Sequence, residues 1–129
     1  MIILKKYWIS IVFVAVILTL CFVNPPEFPV KIPMTNLDKL VHFLMFMGLS
    51  GVVFYDNSFR FKQKVTGWLF LGGSFLFPIA FSGGIEIAQE YLTATRSGDW
   101  MDFLCDMLGV SCGCLVCWLI NRRIISSAQ

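Results

Sequence analysis

Phe103-Leu104-Cys105-Asp106-Met107-Leu108-Gly109-Val110-Ser111-Cys112-Gly113-Cys114-Leu115-Val116-Cys117-Trp118-Leu119-Ile120 decides the fold class, because it is almost wholly apolar and carries one charge, Asp106. At 1.5 Å per residue such a helix covers about 27 Å, close to the ~30 Å hydrocarbon core of a bilayer. Three other stretches have the same character: Tyr7–Val23, Leu40–Tyr55 and Val65–Ala88. With 57% hydrophobic residues and a mean hydropathy of +0.77, the chain lies above the roughly 45–50% apolar content of soluble domains. The expectation is an all-α, polytopic membrane protein, a four-transmembrane-helix bundle with its membrane lipid bilayer as solvent. A length of 129 residues leaves room for a single domain spanning 1–129.

The second stretch is the weakest, since Gly48, Ser50 and Gly51 interrupt it. The third is long and carries Pro78, Gly83 and Gly84, which predicts a kink or an early end to regular helix near Pro78. The first has the layout of a signal sequence, with Lys5 and Lys6 ahead of an apolar core. No small-residue cleavage pattern follows, and Leu20 stands where a lipoprotein processing site needs a small residue, so it reads as a retained helix. Four prolines within 24–33 exclude a continuous helix there, and Phe28, Val30 and Ile32 suit a loop resting at the interface.

Basic residues sort the loops. Lys5, Lys6, Arg60, Lys62, Lys64, Arg122 and Arg123 lie at the two ends and in the second loop, whereas only Lys31, Lys39 and Arg96 border the first and third. The positive-inside rule puts both termini in the cytoplasm and the other two loops outside, as in a multi-pass protein of a bacterial cytoplasmic (inner) membrane. Seven of the eight acidic residues then fall on the outer side, together with His42, the only histidine; Asp56 is the exception. A net charge of +2 without a basic run interleaved with aromatics excludes nucleic acid as a partner.

That polar set arises from three helix ends. Asp38 and His42 share a face at i, i+4, with Lys39 beside them, an arrangement that suits proton transfer, phosphate contact or metal ligation. Its structural counterpart is a capping-box-like pair, Thr35 and Asp38. Glu86 and Gln89 share a face near the far end of the third stretch, where an ionisable group defaults to a functional or paired role. Asp99 is the expected N-cap of the fourth helix with Asp102 at its third position. Asp106, one turn deeper, is not explained by capping. Arg96 is the nearest guanidinium available to carboxylates or phosphate.

Cys105, Cys112, Cys114 and Cys117 lie inside the last apolar stretch and read as small packing residues rather than a metal or disulfide framework. Gly109 and Gly113 read as a close helix contact within the bundle. No phosphate-binding glycine loop, nucleophile elbow or zinc-binding His pair is present, and no metal or cofactor is assigned.

The ordered motifs Asp38-Lys39-x-x-His42-Phe43, Ile85-Glu86-x-x-Gln89, Arg96-x-Gly98-Asp99-x-x-Asp102 and Leu108-Gly109 resemble the VanZ-like family of small bacterial membrane proteins, over about Thr35 to Gly113. Phe46 stands where that family often has tyrosine, and Asp106 where it often has asparagine. The family takes its name from a protein associated with low-level teicoplanin resistance. The resemblance implies a cell-envelope role, with function at Asp38, Lys39, His42, Glu86, Gln89, Arg96, Asp99 and Asp102. One expected function is binding an anionic lipid headgroup, a glycosylated lipid, a cell-wall precursor or an envelope-active antibiotic through Lys39, His42 and Arg96, with the carboxylates and Gln89 orienting donors. The alternative is an enzyme on a lipid or cell-wall precursor with His42 as acid or base, Asp38 orienting it, and a divalent cation on Asp99, Asp102 and Glu86.

Overall fold

The computed structural model describes residues 2–23, 34–58, 65–94 and 97–127, and every regular element among them is helical. A short α1 (Ile2–Lys6) leads into α2 (Trp8–Phe22), followed by α3 (Met34–Ser58), α4 (Gly67–Leu69), a π-helical stretch (Phe70–Leu76), α5 (Phe77–Leu92) and α6 (Trp100–Ser127). Three stretches, Asn36–Ser58, Gly67–Leu92 and Trp100–Arg123, are long and apolar enough to cross a membrane, and Trp8–Phe22 is a shorter apolar helix. The all-α membrane architecture expected from the apolar runs is therefore present. Readings placed on the proline-rich segment 24–33 and on the basic loop 59–64 lie outside the described residues.

Helices α3 and α6 form the most extensively packed pair, and the sequence shows why. A Cβ on Gly113 would come within 2.7 Å of the Met47 carbonyl oxygen, and one on Gly109 would come closer still to that of Phe43. Only glycine lets the two backbones approach this far. The Gly-x-x-x-Gly pair thus serves a contact inside the bundle. Phe46, Leu49, Val110 and Ile85 fill the space beside it, with Ile17 and Cys21 of α2 closing the core. Gly48, Ser50 and Gly51 do not break α3: Gly48 faces the Phe13 ring, and Ser50 is fully buried.

The irregularity expected near Pro78 takes the form of the π-helical stretch directly before it. Pro78 has no N–H to return to the preceding turn, which leaves backbone acceptors in need of other donors. The Ser74 carbonyl receives them from the Ser50 hydroxyl and, at 3.1 Å, the Cys114 thiol. Cys114 is thereby a packing and hydrogen-bonding residue, and no disulfide forms among the described cysteines.

At one end of the bundle, Asp56 is buried and its Oδ2 accepts the Ser10 backbone N–H at 3.0 Å and the Ser10 hydroxyl at 2.7 Å. Ser10 is the third residue of α2, and Tyr7 at its N-cap supplies no side-chain bond. Asp56 therefore caps α2 from α3, and Tyr7 donates instead to Asn57 Oδ1 at 2.6 Å. The acidic cluster lies toward the opposite end of α3: His42 and Asp56 are separated by about 21 Å of helix.

Candidate functional site

Glycine also sets the entry to α6. A Cβ on Gly98 would meet the Glu86 carbonyl oxygen at 2.6 Å, so the chain there runs against the α5 backbone. Two successive amides then reach α5 carboxylates: Gly98 N–H donates to Glu90 Oε2 at 3.0 Å, and Asp99 N–H to Glu86 Oε2 at 2.8 Å. Asp99 performs the capping expected of it, its Oδ1 accepting the Met101 N–H at 2.9 Å while its carbonyl accepts from Asp102 and Phe103. The Met101 amide, and behind it the Lys39 ammonium, hold the Asp99 carboxyl below the usual carboxylate range. Asp102 occupies the third helical position, where a negative charge suits the helix dipole.

Lys39 reaches across from α3. Its Nζ lies 3.5 Å from both Asp99 Oδ2 and Asp102 Oδ1, the latter an ion pair that leaves Asp102 Oδ1 without a hydrogen bond. One turn deeper, His42 is buried and its Nδ1 is 3.1 Å from Asp106 Oδ1; the other Asp106 oxygen accepts the Ser82 hydroxyl of α5. Asp106, and not Asp38, is thus the carboxylate hydrogen-bonded to the imidazole. Asp38 remains close, its carboxylate within 4.8 Å of a His42 nitrogen and of Asp102. Glu86 and Asp106 also each bring an oxygen within 4.8 Å of His42 and of each other.

Asp38, Lys39, His42, Glu86, Asp99 and Asp102 are therefore gathered at one end of the bundle. Gln89 is not directed there: it is 4% exposed and its amide donates to the Cys21 carbonyl at 3.0 Å, tying α5 to α2. Arg96 lies outside the described residues, as does the Thr35 side chain invoked for a capping box. Sequence spacing missed Ser82 and Glu90. Glu90 had a signal, one turn beyond Glu86, but its partner Gly98 is a backbone donor that no pattern marks.

Beside the cluster opens a cleft of about 530 Å³ lined by the carboxylate residues Glu86, Glu90 and Asp99 together with Ile87, Tyr91, Trp100 and Phe103. Tyr91 and Trp100 are each 81% exposed, as expected of amphipathic rings at a membrane–water boundary.

A helical bundle of membrane-spanning length with a polar site at one end defines a small multi-span membrane protein. The family model for VanZ/LLP1 matches residues 2–121, and the chain belongs to that family. The match takes in the first helix, which the motifs alone did not reach. No curated protein and no solved structure matches the chain.

Proposed function

We propose that this protein binds the head of an amphipathic envelope molecule, a glycosylated lipid or an envelope-active glycopeptide, in the cleft between α5 and the start of α6. The observation that supports this is the lining itself, which combines acceptor carboxylates with aromatic and aliphatic side chains. Carboxylates receive hydrogen bonds from sugar hydroxyls or ammonium groups, whereas the rings take apolar parts of the ligand. A bare phosphate is a poorer fit. Lys39 is already between Asp99 and Asp102, and His42 faces Asp106. The distribution of Lys and Arg supports placing this end on the outer face of a bacterial cytoplasmic membrane, with both termini inside. Sequestering such molecules there would contribute to teicoplanin tolerance.

Nanodiscs containing a diglycosyl diacylglycerol or phosphatidylglycerol test the reading. Wild type is expected to retain the glycolipid preferentially, and Glu90→Gln or Trp100→Ala to weaken that binding about tenfold or more, the 1.4 kcal/mol scale of one charge-assisted contact. Equal binding of the two lipids, or no effect of either substitution, would overturn it. The His42–Asp106 pair favours a second reading, acid–base chemistry on a lipid or cell-wall precursor held in the same cleft. Conversion of a precursor by wild type but not by His42→Gln would select that alternative.

A further inference from the structure

The cleft uses Glu86, Glu90 and Asp99 but leaves the buried centre at His42 unexplained. We propose that His42, Glu86 and Asp106 form a binding site for a first-row divalent cation, zinc or manganese. One donor comes from each of α3, α5 and α6, and the three donor atoms lie within 4.8 Å of one another. Three ligands of one ion stand about 3.1–3.8 Å apart when bonds are about 2.2 Å, so the widest separation this cluster allows would have to close by about 1–1.7 Å, within reach of side-chain rotation. His42 Nδ1 and Asp106 Oδ1, at 3.1 Å, already have the spacing of adjacent ligands at right angles on such an ion, about 3.1 Å. A cation can therefore take the place of the proton between them.

Glu86 supplies the independent observation. It is 9% exposed; Oε2 is held by the Asp99 amide, and Oε1 is buried with no hydrogen-bond partner. A buried acceptor left in that state costs about 1–3 kcal/mol, more when charged, unless a donor or cation meets it. Lys39 does not do so, since its Nζ pairs with Asp99 and Asp102. The carboxylates are also fixed as ligands need to be. Ser82 holds Asp106 through Oδ2 and the Asp99 amide holds Glu86 through Oε2, which leaves the other oxygen of each outside those bonds. One imidazole with two carboxylates suits zinc or manganese better than magnesium or calcium, which prefer all-oxygen sets. No metal motif is visible in the sequence because the three donors lie on three helices, 64 residues apart at the extremes.

This site does not depend on which molecule fills the cleft. The chain has one histidine, so protein labelled with ¹⁵N-histidine gives the ring signals of His42 alone. In detergent, after chelator treatment, one equivalent of Zn²⁺ is expected to move those resonances and Mn²⁺ to broaden them, with Mg²⁺ at the same concentration leaving them in place. Glu86→Gln, checked for helicity by circular dichroism, is expected to weaken binding by about 100-fold, the upper range for groups that tune a site. Two results would overturn the proposal: ring signals unmoved by millimolar Zn²⁺ and Mn²⁺, or stoichiometric Mn²⁺ binding retained in His42→Gln. Manganese serves there because cysteine thiols, such as exposed Cys112, compete for zinc. Glycolipid retention measured with and without the ion reports separately on the cleft.

Discussion

Gly109→Ala is the most informative perturbation of the bundle, because one methyl group strikes a backbone atom that has no rotamer by which to yield. The added Cβ meets the Phe43 carbonyl oxygen more closely than the corresponding carbon on Gly113 meets that of Met47, which is 2.7 Å. Restoring ordinary contact at about 3.4 Å therefore moves α3 and α6 apart by at least ~0.7 Å, and such overpacking costs about 1–3 kcal/mol. Alanine offsets up to ~1 kcal/mol of this through its helix propensity. The net expectation is a loss of about 1–2 kcal/mol. Gly84→Ala is the control: nothing lies within 4 Å of its added carbon, so only the propensity gain remains and stability should hold or rise. Unfolding of the protein in mixed micelles by increasing SDS, followed by circular dichroism, measures both. The same displacement should also disturb the ring signals of His42, since Phe43 follows His42 on α3 and Asp106 lies one turn from Gly109 on α6. A Gly109→Ala protein as stable as wild type, or a Gly84→Ala protein equally damaged, would refute the packing argument.

Three further outcomes are expected. Asp56→Ala removes the shared acceptor of the Ser10 amide and hydroxyl and should cost about 2–3 kcal/mol in the same unfolding assay, with Asp56→Asn recovering part of it. Gln89→Leu, which breaks the link to the Cys21 carbonyl, should lower stability by about 1 kcal/mol yet leave glycolipid retention intact; lost retention in a folded protein would show that Gln89 reaches the ligand. Because the Asp99 carboxyl sits below its usual range, its contribution is full above the ordinary carboxylate pKa and disappears as pH falls through the lowered value. The acid limb of the stability profile should accordingly flatten in Asp99→Asn, which keeps a capping oxygen.

The apolar runs located every long helix, because a membrane-spanning helix is written locally, one residue after another. Their ends were less legible. Helix α3 starts at Met34 and α6 continues to Ser127, beyond the runs at Leu40 and Ile120, since Asp38, Lys39 and Arg122 remain helical where polar side chains can reach one another or water. Spacing at i, i+3 and i+4 grouped Asp38 with His42 and Asp99 with Asp102 correctly, but it sees only neighbours on one helix. The bonds from Asp106 to His42 and Ser82 cross 64 and 24 residues, and that from Gln89 to Cys21 crosses 68. In the sequence Asp106 stands out because capping does not explain a charge at that position. Its depth in α6 was the readable clue, and its two partners were not.

Carboxylates in an apolar bundle demand a reason for each charge, and the helix ends supply most of them. Asp56 takes the amide of α2, Glu86 and Glu90 take the amides leading into α6, and Asp99 caps α6 itself. These four work on the positive end of a helix dipole, three of the acceptors coming from a neighbouring helix, so they join helices as well as terminate them. Lys39 then balances Asp99 and Asp102. What capping and Lys39 do not reach is the inner layer: Asp106, 1% exposed, and the second oxygen of Glu86. The His42 imidazole and the Ser82 hydroxyl meet the two oxygens of Asp106 and leave the second oxygen of Glu86 unmet. A bundle needing only stability would place apolar side chains in that layer, as it does one turn further along α3 and α6 with Phe46 and Val110, since well-packed hydrophobic residues stabilise as well as buried ionic groups or better. The proposed binding site would give the buried acids and His42 that reason, and the boundary between their layer and the Phe46–Val110 layer would then mark where the site ends and the core begins.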